Sequence, residues 1–370
     1  MHNNFFKQYN IDYIEIYTPM AKALAYWHTQ ALGFSVVAYA DYETSKTNLS
    51  SYVLKSHNIC LVLTSTYPTA HQSADSNEVQ SFITKNYCGV KRLALQTDDV
   101  KETFEKSIAV GAIPVRFPTV IEDELGYIEE AAIKLYDDNE ITFINRSAYQ
   151  GVFKPGYKSP KLDKYSKTTS ALISVDHIAS ELRINEINYW TTYLTNTIGT
   201  QLVQSIQRVE ENRTGMILNI NQSIDKNLTL VMAEPDTYTG ISKVQQNIDK
   251  FGSGIHHLAF TTDDMVKTTQ TFINNHVEFI HFPSSYYDLL RDKEEFKGMD
   301  INSLEQNNIL IDKEGDTYLL QKFIKPISDR PFFLYEIVQR VNGYNGFALK
   351  NINVLKKAEE MQVMKTAILE

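Results

Sequence analysis

Three side chains in the second half of this 370-residue chain could together hold a metal ion: His177, His257 and Glu336. His177 sits in Val175-Asp176-His177-Ile178 and His257 in Gly254-Ile255-His256-His257-Leu258-Ala259, and both runs read as strands. Glu336 interrupts the apolar run Phe332-Phe333-Leu334-Tyr335-Glu336-Ile337-Val338. A carboxylate there is expected to be buried, and so must be paired, protonated or bound to metal. Two imidazoles and one carboxylate leave about three open positions on an octahedral ion, the arrangement used by non-haem Fe(II) oxygenases. A 2-oxo acid could chelate through its carboxylate and keto oxygen, with O2 taking the last position. Plainer readings stand beside this one. A histidine on a strand is commonly a satisfied core residue, and Glu336 could pair with Arg340. Strand alternation sends His256 and His257 to opposite faces, so at most one of them is expected to be a ligand.

The elements that would position these residues occur twice. Gly89-Val-Lys-Arg-Leu-Ala-Leu-Gln-Thr-Asp-Asp-Val100, with Arg116-Phe117-Pro118, parallels Gly254-Ile-His-His-Leu-Ala-Phe-Thr-Thr-Asp-Asp-Met265, with His281-Phe282-Pro283. The offset is 165 at both ends (254 minus 89, 283 minus 118), and Ile11-Asp12-Tyr13-Ile14 parallels Val175-Asp176-His177-Ile178 at 164. Repeats fix architecture before any residue is given a role. Here the first copy has Tyr13 and Arg92 where the second has His177 and His257, so one half reads as scaffold and the other as active.

Each half begins with a strand (Ile11 to Tyr17; Ser174 to Ala179) and a helix (Met20 to Leu32; about Asn185 to Thr197) that stops at Gly33 or Gly199. Further strands follow, from Ser51 to Ser65 and from Gln201. Asp98-Asp99 and Asp263-Asp264 stand as N-caps before the helical stretches Val100–Val110 and Met265–His276. The unit is a strand, a helix and several strands, duplicated within each half. Residues 151–170, rich in Pro, Gly and Lys, read as a linker, and a last helix is expected over about Asn351–Leu369.

With 370 residues and 43% hydrophobic content, two cores of ordinary size are expected. A net charge of −9 with interspersed signs argues against a nucleic-acid or anionic-membrane surface. Two cysteines, Cys60 and Cys88, make neither a disulfide framework nor a thiolate metal site, so a reducing cytoplasm is expected. Neither a signal peptide nor a membrane-spanning apolar run is recognisable.

The motifs around these residues resemble the 4-hydroxyphenylpyruvate dioxygenase family, which includes its close relative 4-hydroxymandelate synthase. The resemblance rests on Val175-Asp176-His177, Gly254 to Ala259, Tyr318-Leu-Leu-Gln-Lys-Phe323, Asp329-Arg-Pro331 and Glu336-Ile-Val-Gln-Arg340. It extends over Ser51-Tyr-Val-Leu54, Val62-Leu-Thr-Ser65, Arg146 to Gly151 and Pro283-Ser-Ser-Tyr-Tyr287, and so runs nearly end to end. It implies an α+β fold of two vicinal-oxygen-chelate (glyoxalase/dioxygenase-like) barrel domains built from repeated βαβββ modules, plus a C-terminal helix. The expected division is a structural domain over 1–155, a linker over 156–170 and an iron-binding domain over 171–370. It further implies Fe(II) on His177, His257 and Glu336, and oxidative decarboxylation of a 2-oxo acid by O2 followed by hydroxylation of the same substrate. A homo-oligomer, dimer or tetramer, is expected, with no nucleic acid and no membrane as partner.

The resemblance also assigns a substrate pocket, and there the chain departs from the family's pattern. Gln321, Phe323 and Gln245 match substrate-contacting positions, and Phe347 and Asn351 fall in the C-terminal pocket motif. A family Asn becomes Ala233, a Ser is lost near Leu218, the Gln before the second metal-binding His becomes His256, and two Phe positions become Leu334 and Ile352. Amides that would hold a phenol give way to apolar groups. Three readings stay open: drift within a 4-hydroxyphenylpyruvate dioxygenase with His256 holding the phenol, benzylic hydroxylation of the 4-hydroxymandelate synthase type, or a different, non-phenolic or aliphatic 2-oxo acid. An extradiol ring-cleaving dioxygenase shares the His/His/Glu set but not the Tyr-Leu-Leu-Gln and Pro-Ser-Ser-Tyr-Tyr motifs. A binding protein without turnover would have no need of all three ligands.

Overall fold

The computed structural model describes residues 6, 8–44, 48–68, 73–160, 170–206, 215–236 and 242–348, together with Asn351, Val354, Leu355 and Ala358. The first half contains β1 (Ile11–Tyr17), α1 (Ala21–Ala31), β2 (Ser35–Ala40), β3 (Leu49–Ser56) and β4 (Ile59–Thr66). After α2 (Ala74–Asn86), the pattern recurs as β5 (Gly89–Gln96), α3 (Val100–Ala109), β6 (Pro114–Asp123), β7 (Gly126–Leu135) and β8 (Asn139–Asn145). The eight strands form one sheet in the order β2-β3-β4-β1-β5-β8-β7-β6.

The second half repeats this with β9 (Val175–Glu181), α4 (Ile187–Ile198), β10 (Gln201–Ile206), β11 (Met216–Gln222) and β12 (Thr229–Pro235). It continues through α5 (Lys243–Phe251), β13 (Gly254–Thr261), α6 (Met265–Asn274), α7 (Ser284–Arg291), α8 (Ile301–Gln306), β14 (Leu310–Glu314), β15 (Thr317–Phe323) and β16 (Leu334–Val341). Its sheet order, β10-β11-β12-β9-β13-β16-β15-β14, is that of the first. In both, two βαβββ modules join where their first strands pair antiparallel, β1 with β5 and β9 with β13. Each sheet curls into a half-barrel, so the fold is the expected pair of vicinal-oxygen-chelate barrels.

Local chemistry accounts for the repeat. Gly33 and Gly199 turn the chain after α1 and α4 with φ of +76° and +72°, a region costly for residues bearing a Cβ. Asp99 accepts from the Glu102 amide at 2.8 Å and Asp264 from the Lys267 amide at 2.9 Å, capping α3 and α6. The copies diverge where the sequence match ends: Arg116-Phe117-Pro118 lies inside β6, whereas Pro283 is the N-cap of α7.

Two expectations are corrected. The halves do not keep separate cores, because one cluster runs from Ile14, Leu93 and Ile133 to Ile178, Leu258 and Tyr335. His28 of α1 cements the junction, its Nε2 2.8 Å from the Tyr335 hydroxyl of β16. Nor does the chain after residue 150 read as a linker throughout. Phe153 and Tyr157 pack with Tyr13 and Tyr149 in a buried cluster, and Lys158 bridges to Tyr39. Of the expected C-terminal helix, Asn351, Val354, Leu355 and Ala358 are described, and all are helical. No helix among the described residues is long and apolar enough to cross a membrane.

Candidate metal centre

Strand register brings the three predicted ligands together. Ala259 of β13 pairs with His177 of β9 on one side and with Glu336 of β16 on the other. Side chains directly opposite on neighbouring strands share a face, and Ala259 offers only a methyl between the two longer groups. His257 lies two residues back on β13. Its Nε2 is 3.3 Å from Glu336 Oε2, and His177 Nε2 is 3.1 Å from the same oxygen. One donor atom from each residue lies within 4.8 Å of the others, and His177 and Glu336 are buried.

The remaining atom of every ligand is held. His177 Nδ1 lies 2.8 Å from Asp176 Oδ1, and Asp176 receives Arg340 at 2.7 and 2.8 Å. Gln321 donates to Glu336 Oε1 at 2.7 Å, and Asn351 donates to Gln321 at 3.3 Å. His257 Nδ1 lies 2.8 Å from His256 Nδ1. Such outer partners fix ring orientation and leave the inner atoms turned on one another. The alternative pairing of Glu336 with Arg340 is not formed; Arg340 belongs to Asp176.

Electrostatics favour a cation at this point. Burial pushes the Glu336 carboxyl up, but His177 and His257 outweigh it and hold it near 2. Burial depresses His177, yet Glu336 and Asp176 raise it to about 9. Burial, with His257 alongside, lowers His256 to about 3. An ionised carboxylate inside an apolar wall needs a proton-bearing partner or a metal, and the donor set of two imidazole nitrogens and one carboxylate oxygen suits a divalent transition metal.

The donors open onto a cavity of about 270 Å³, whose other walls include Leu218, Val231, Ala233, Phe323 and Phe347. The equivalent space in the first half-barrel is full. There the row Tyr13–Ala94–Thr142 replaces His177–Ala259–Glu336, and Arg92 replaces His257. Arg92 binds Glu15 at 2.6 Å, Glu78 at 2.9 Å and Glu140, while Lys154 spans Tyr13 and Glu130.

Known proteins bear on this geometry. No family model matches the chain. It is 29% identical over 368 residues to 4-hydroxyphenylpyruvate dioxygenase of Yarrowia lipolytica, covering 96% of this chain and 92% of that one. The Tetrahymena thermophila enzyme of the same name is 28% identical, covering 96% and 90%. That of Xenopus tropicalis is 29% identical, covering 92% and 88%. Over nearly its whole length the chain is thus similar to proteins named 4-hydroxyphenylpyruvate dioxygenase. In fold it is similar to a triple mutant of Streptomyces coelicolor 4-hydroxymandelate synthase, with a TM-score of 0.80 at 24% identity over 96% of this chain and 98% of that one. It is also similar to a xylose isomerase-like TIM barrel/4-hydroxyphenylpyruvate dioxygenase fusion protein, with a TM-score of 0.72 at 19% identity, covering 96% of this chain and 53% of the fusion.

The chain places most of its expected pocket residues on the cavity wall. Leu218, Ala233, His256, Gln321, Phe323, Phe347 and Asn351 all line it. Gln245 does not: it sits in the first turn of α5, donates to Asp249 at 2.6 Å, and leaves the wall to its neighbour Val244. Leu334 is buried beside His257 but does not line the cavity. Ile352 lies outside the described residues.

Both histidines of the 256–257 pair face the cavity, against the alternation expected of a strand. The β13–β9 register jumps between Ile255 and His257, so His256 is the extra residue of a β-bulge and its ring turns to the same side as His257. The first sheet has the same irregularity between Val90 and Arg92, where Lys91 joins Arg92 against Glu78 and Glu140. Sequence reasoning also missed Glu181. It is the last residue of β9, buried, and lines the cavity. The signal available was the two-residue spacing of His177, Ala179 and Glu181, which puts Glu181 two residues beyond the expected strand end at Ala179.

Proposed function

We propose that this protein is an Fe(II)-dependent 2-oxo acid dioxygenase, which uses O2 to decarboxylate a 2-oxo acid oxidatively and hydroxylates the same molecule. The observation that carries this reading is the convergence of His177, His257 and Glu336, each held by an outer partner, at the wall of a largely apolar cavity. A divalent iron there would supply redox chemistry and open positions for a chelating acid and O2. The chain's own part is to orient the donors, keep Glu336 ionised and exclude water from the apolar chamber. Leu218 and Ala233, paired across β11 and β12, remove two hydrogen-bonding groups from the wall and favour a substrate held differently from that of a 4-hydroxyphenylpyruvate dioxygenase. Hydroxylation at the benzylic carbon, as the name 4-hydroxymandelate synthase describes for the structural relative, is the second outcome compatible with this wall.

The experiment is O2 uptake by anaerobically Fe(II)-loaded protein against 4-hydroxyphenylpyruvate, phenylpyruvate, and aliphatic and sulfur-containing 2-oxo acids, with mass spectrometry of each product. Homogentisate identifies ring attack, hydroxymandelate identifies benzylic attack, and a product from another acid alone identifies a redirected substrate range. We further propose a cytoplasmic homo-oligomer. Two unpaired cysteines whose thiols burial pushes up, Cys60 to about 12 and Cys88 to about 11, suit a reducing compartment. The edge strand β6, with Val115, Phe117 and Val120 exposed, offers an apolar surface to a second copy.

A further inference from the structure

The cavity contains an ionisable group that the metal centre does not use. Glu181 is 8% exposed, and only one of its carboxyl oxygens is engaged, accepting from Asn247 Nδ2 at 3.2 Å. Its Oε2 is buried without a hydrogen-bond partner. A buried polar atom left unmatched costs about 1–3 kcal/mol, so its retention points to a partner that arrives with the ligand. Burial pushes this carboxyl up to about 8, with the Asn247 amide opposing, so near neutral pH it is largely the acid, able both to donate and to accept.

Its position relative to the metal donors is informative. His177, Ala179 and Glu181 all line the cavity, so one strand carries a metal ligand at one end and Glu181 at the other. Four residues of strand span roughly 13 Å between backbones, and both side chains reach inward to shorten that gap. His256 Nε2 is 3.8 Å from Glu181 Oε1. Leu218, Val231, Ala233 and Val244 make the surrounding wall apolar.

We propose that Glu181 is the specificity-determining residue at the far end of the cavity, where its carboxyl hydrogen-bonds a hydroxyl group of the bound 2-oxo acid. This rests on the 2-oxo acid reading above and names the residue that sets specificity within it. The carboxyl exchanges a hydrogen bond with that hydroxyl. Glu181 would thereby supply the discrimination that Ala233 and Leu218 cannot, since a site that hydrogen-bonds a hydroxyl rejects the analogue lacking it.

The test is anaerobic calorimetric binding of 4-hydroxyphenylpyruvate and phenylpyruvate to the Fe(II)-loaded wild type, Glu181→Gln, Glu181→Leu and the near-isosteric Glu181→Met. Wild type is expected to bind the hydroxylated acid roughly tenfold or more tighter than phenylpyruvate. Glu181→Leu and Glu181→Met bring that ratio to about one while phenylpyruvate affinity stays within about threefold, and Glu181→Gln keeps part of the preference. If Glu181 were merely structural, both acids would weaken alike. That result, a ratio surviving in either apolar variant, or equal wild-type affinities overturns the proposal. Oxygen uptake measured on the same samples separates the two readings: no uptake with any 2-oxo acid defeats the dioxygenase assignment, whereas the binding ratio reports on Glu181 alone.

Discussion

His256 and His257 meet at their Nδ1 atoms, 2.8 Å apart, so one nitrogen donates and the other accepts. For His257 to offer Nε2 to a metal, its proton must sit on Nδ1. His256 then accepts at Nδ1 and carries its own proton on Nε2, on the side of Glu181. One bulge therefore links the orientation of a metal donor to the recognition end of the cavity.

His256→Leu should weaken Fe(II) affinity about 10- to 100-fold, the usual cost of losing an outer partner, while His256→Gln restores most of it. Competition against a chromophoric chelator under anaerobic conditions measures this. Unaltered affinity in the Leu variant would show that His257 needs no help from its neighbour.

The first half-barrel makes the opposite prediction. Arg92→Met leaves Glu15 buried without its cation and Glu140 with only Lys91 and Arg116, each at 3.4 Å, and is expected to destabilise the protein by about 3–5 kcal/mol in urea unfolding. Iron content per folded chain should not change. A variant of normal stability that had lost iron would reverse the roles assigned to the halves.

Asn351 should matter for coupling. It donates to Gln321, which donates to Glu336, and its carbonyl oxygen accepts from Tyr286. Truncation before Asn351, or Asn351→Ala, should lower product formed per O2 consumed while iron remains bound. Unchanged coupling in both would remove the C-terminal segment from the account.

Stability should fall on mild acidification. Burial lowers His28 to about 4 from an ordinary 6.5, so between those values the unfolded chain takes up a proton that the folded one refuses. The contribution is intact above pH 6.5 and lost progressively down to pH 4, roughly 3 kcal/mol in all. Thermal unfolding across that window should show a steeper decline in wild type than in His28→Gln, and parallel curves would exclude His28 as the cause.

Much of this was readable from the chain because duplication supplies its own control. Asp99 and Asp264 cap equivalent helices, and Tyr13 against His177 or Arg92 against His257 marks which barrel is filled and which is open. Glu336 stood out as a charge in an apolar run. Strand alternation failed for His256, because a bulge adds a residue without announcing it in composition. Glu181 was hidden by ending β9 at Ala179. Phe153 and Tyr157 were concealed among Pro, Gly and Lys, although their rings fill the first barrel. Gln245 and Leu334 matched a pattern in sequence, but helix phase and neighbouring side chains keep both off the cavity wall.

The most direct test of the central claim is the ratio of CO2 released to O2 consumed by Fe(II)-loaded protein given a 2-oxo acid, measured beside His177→Ala and Glu336→Ala. One CO2 per O2 in the wild type, with one iron per chain, and neither iron retention nor turnover in the two variants is the predicted result. Stoichiometric iron and full turnover in either variant, or no O2 uptake by the wild type with any 2-oxo acid, would contradict it.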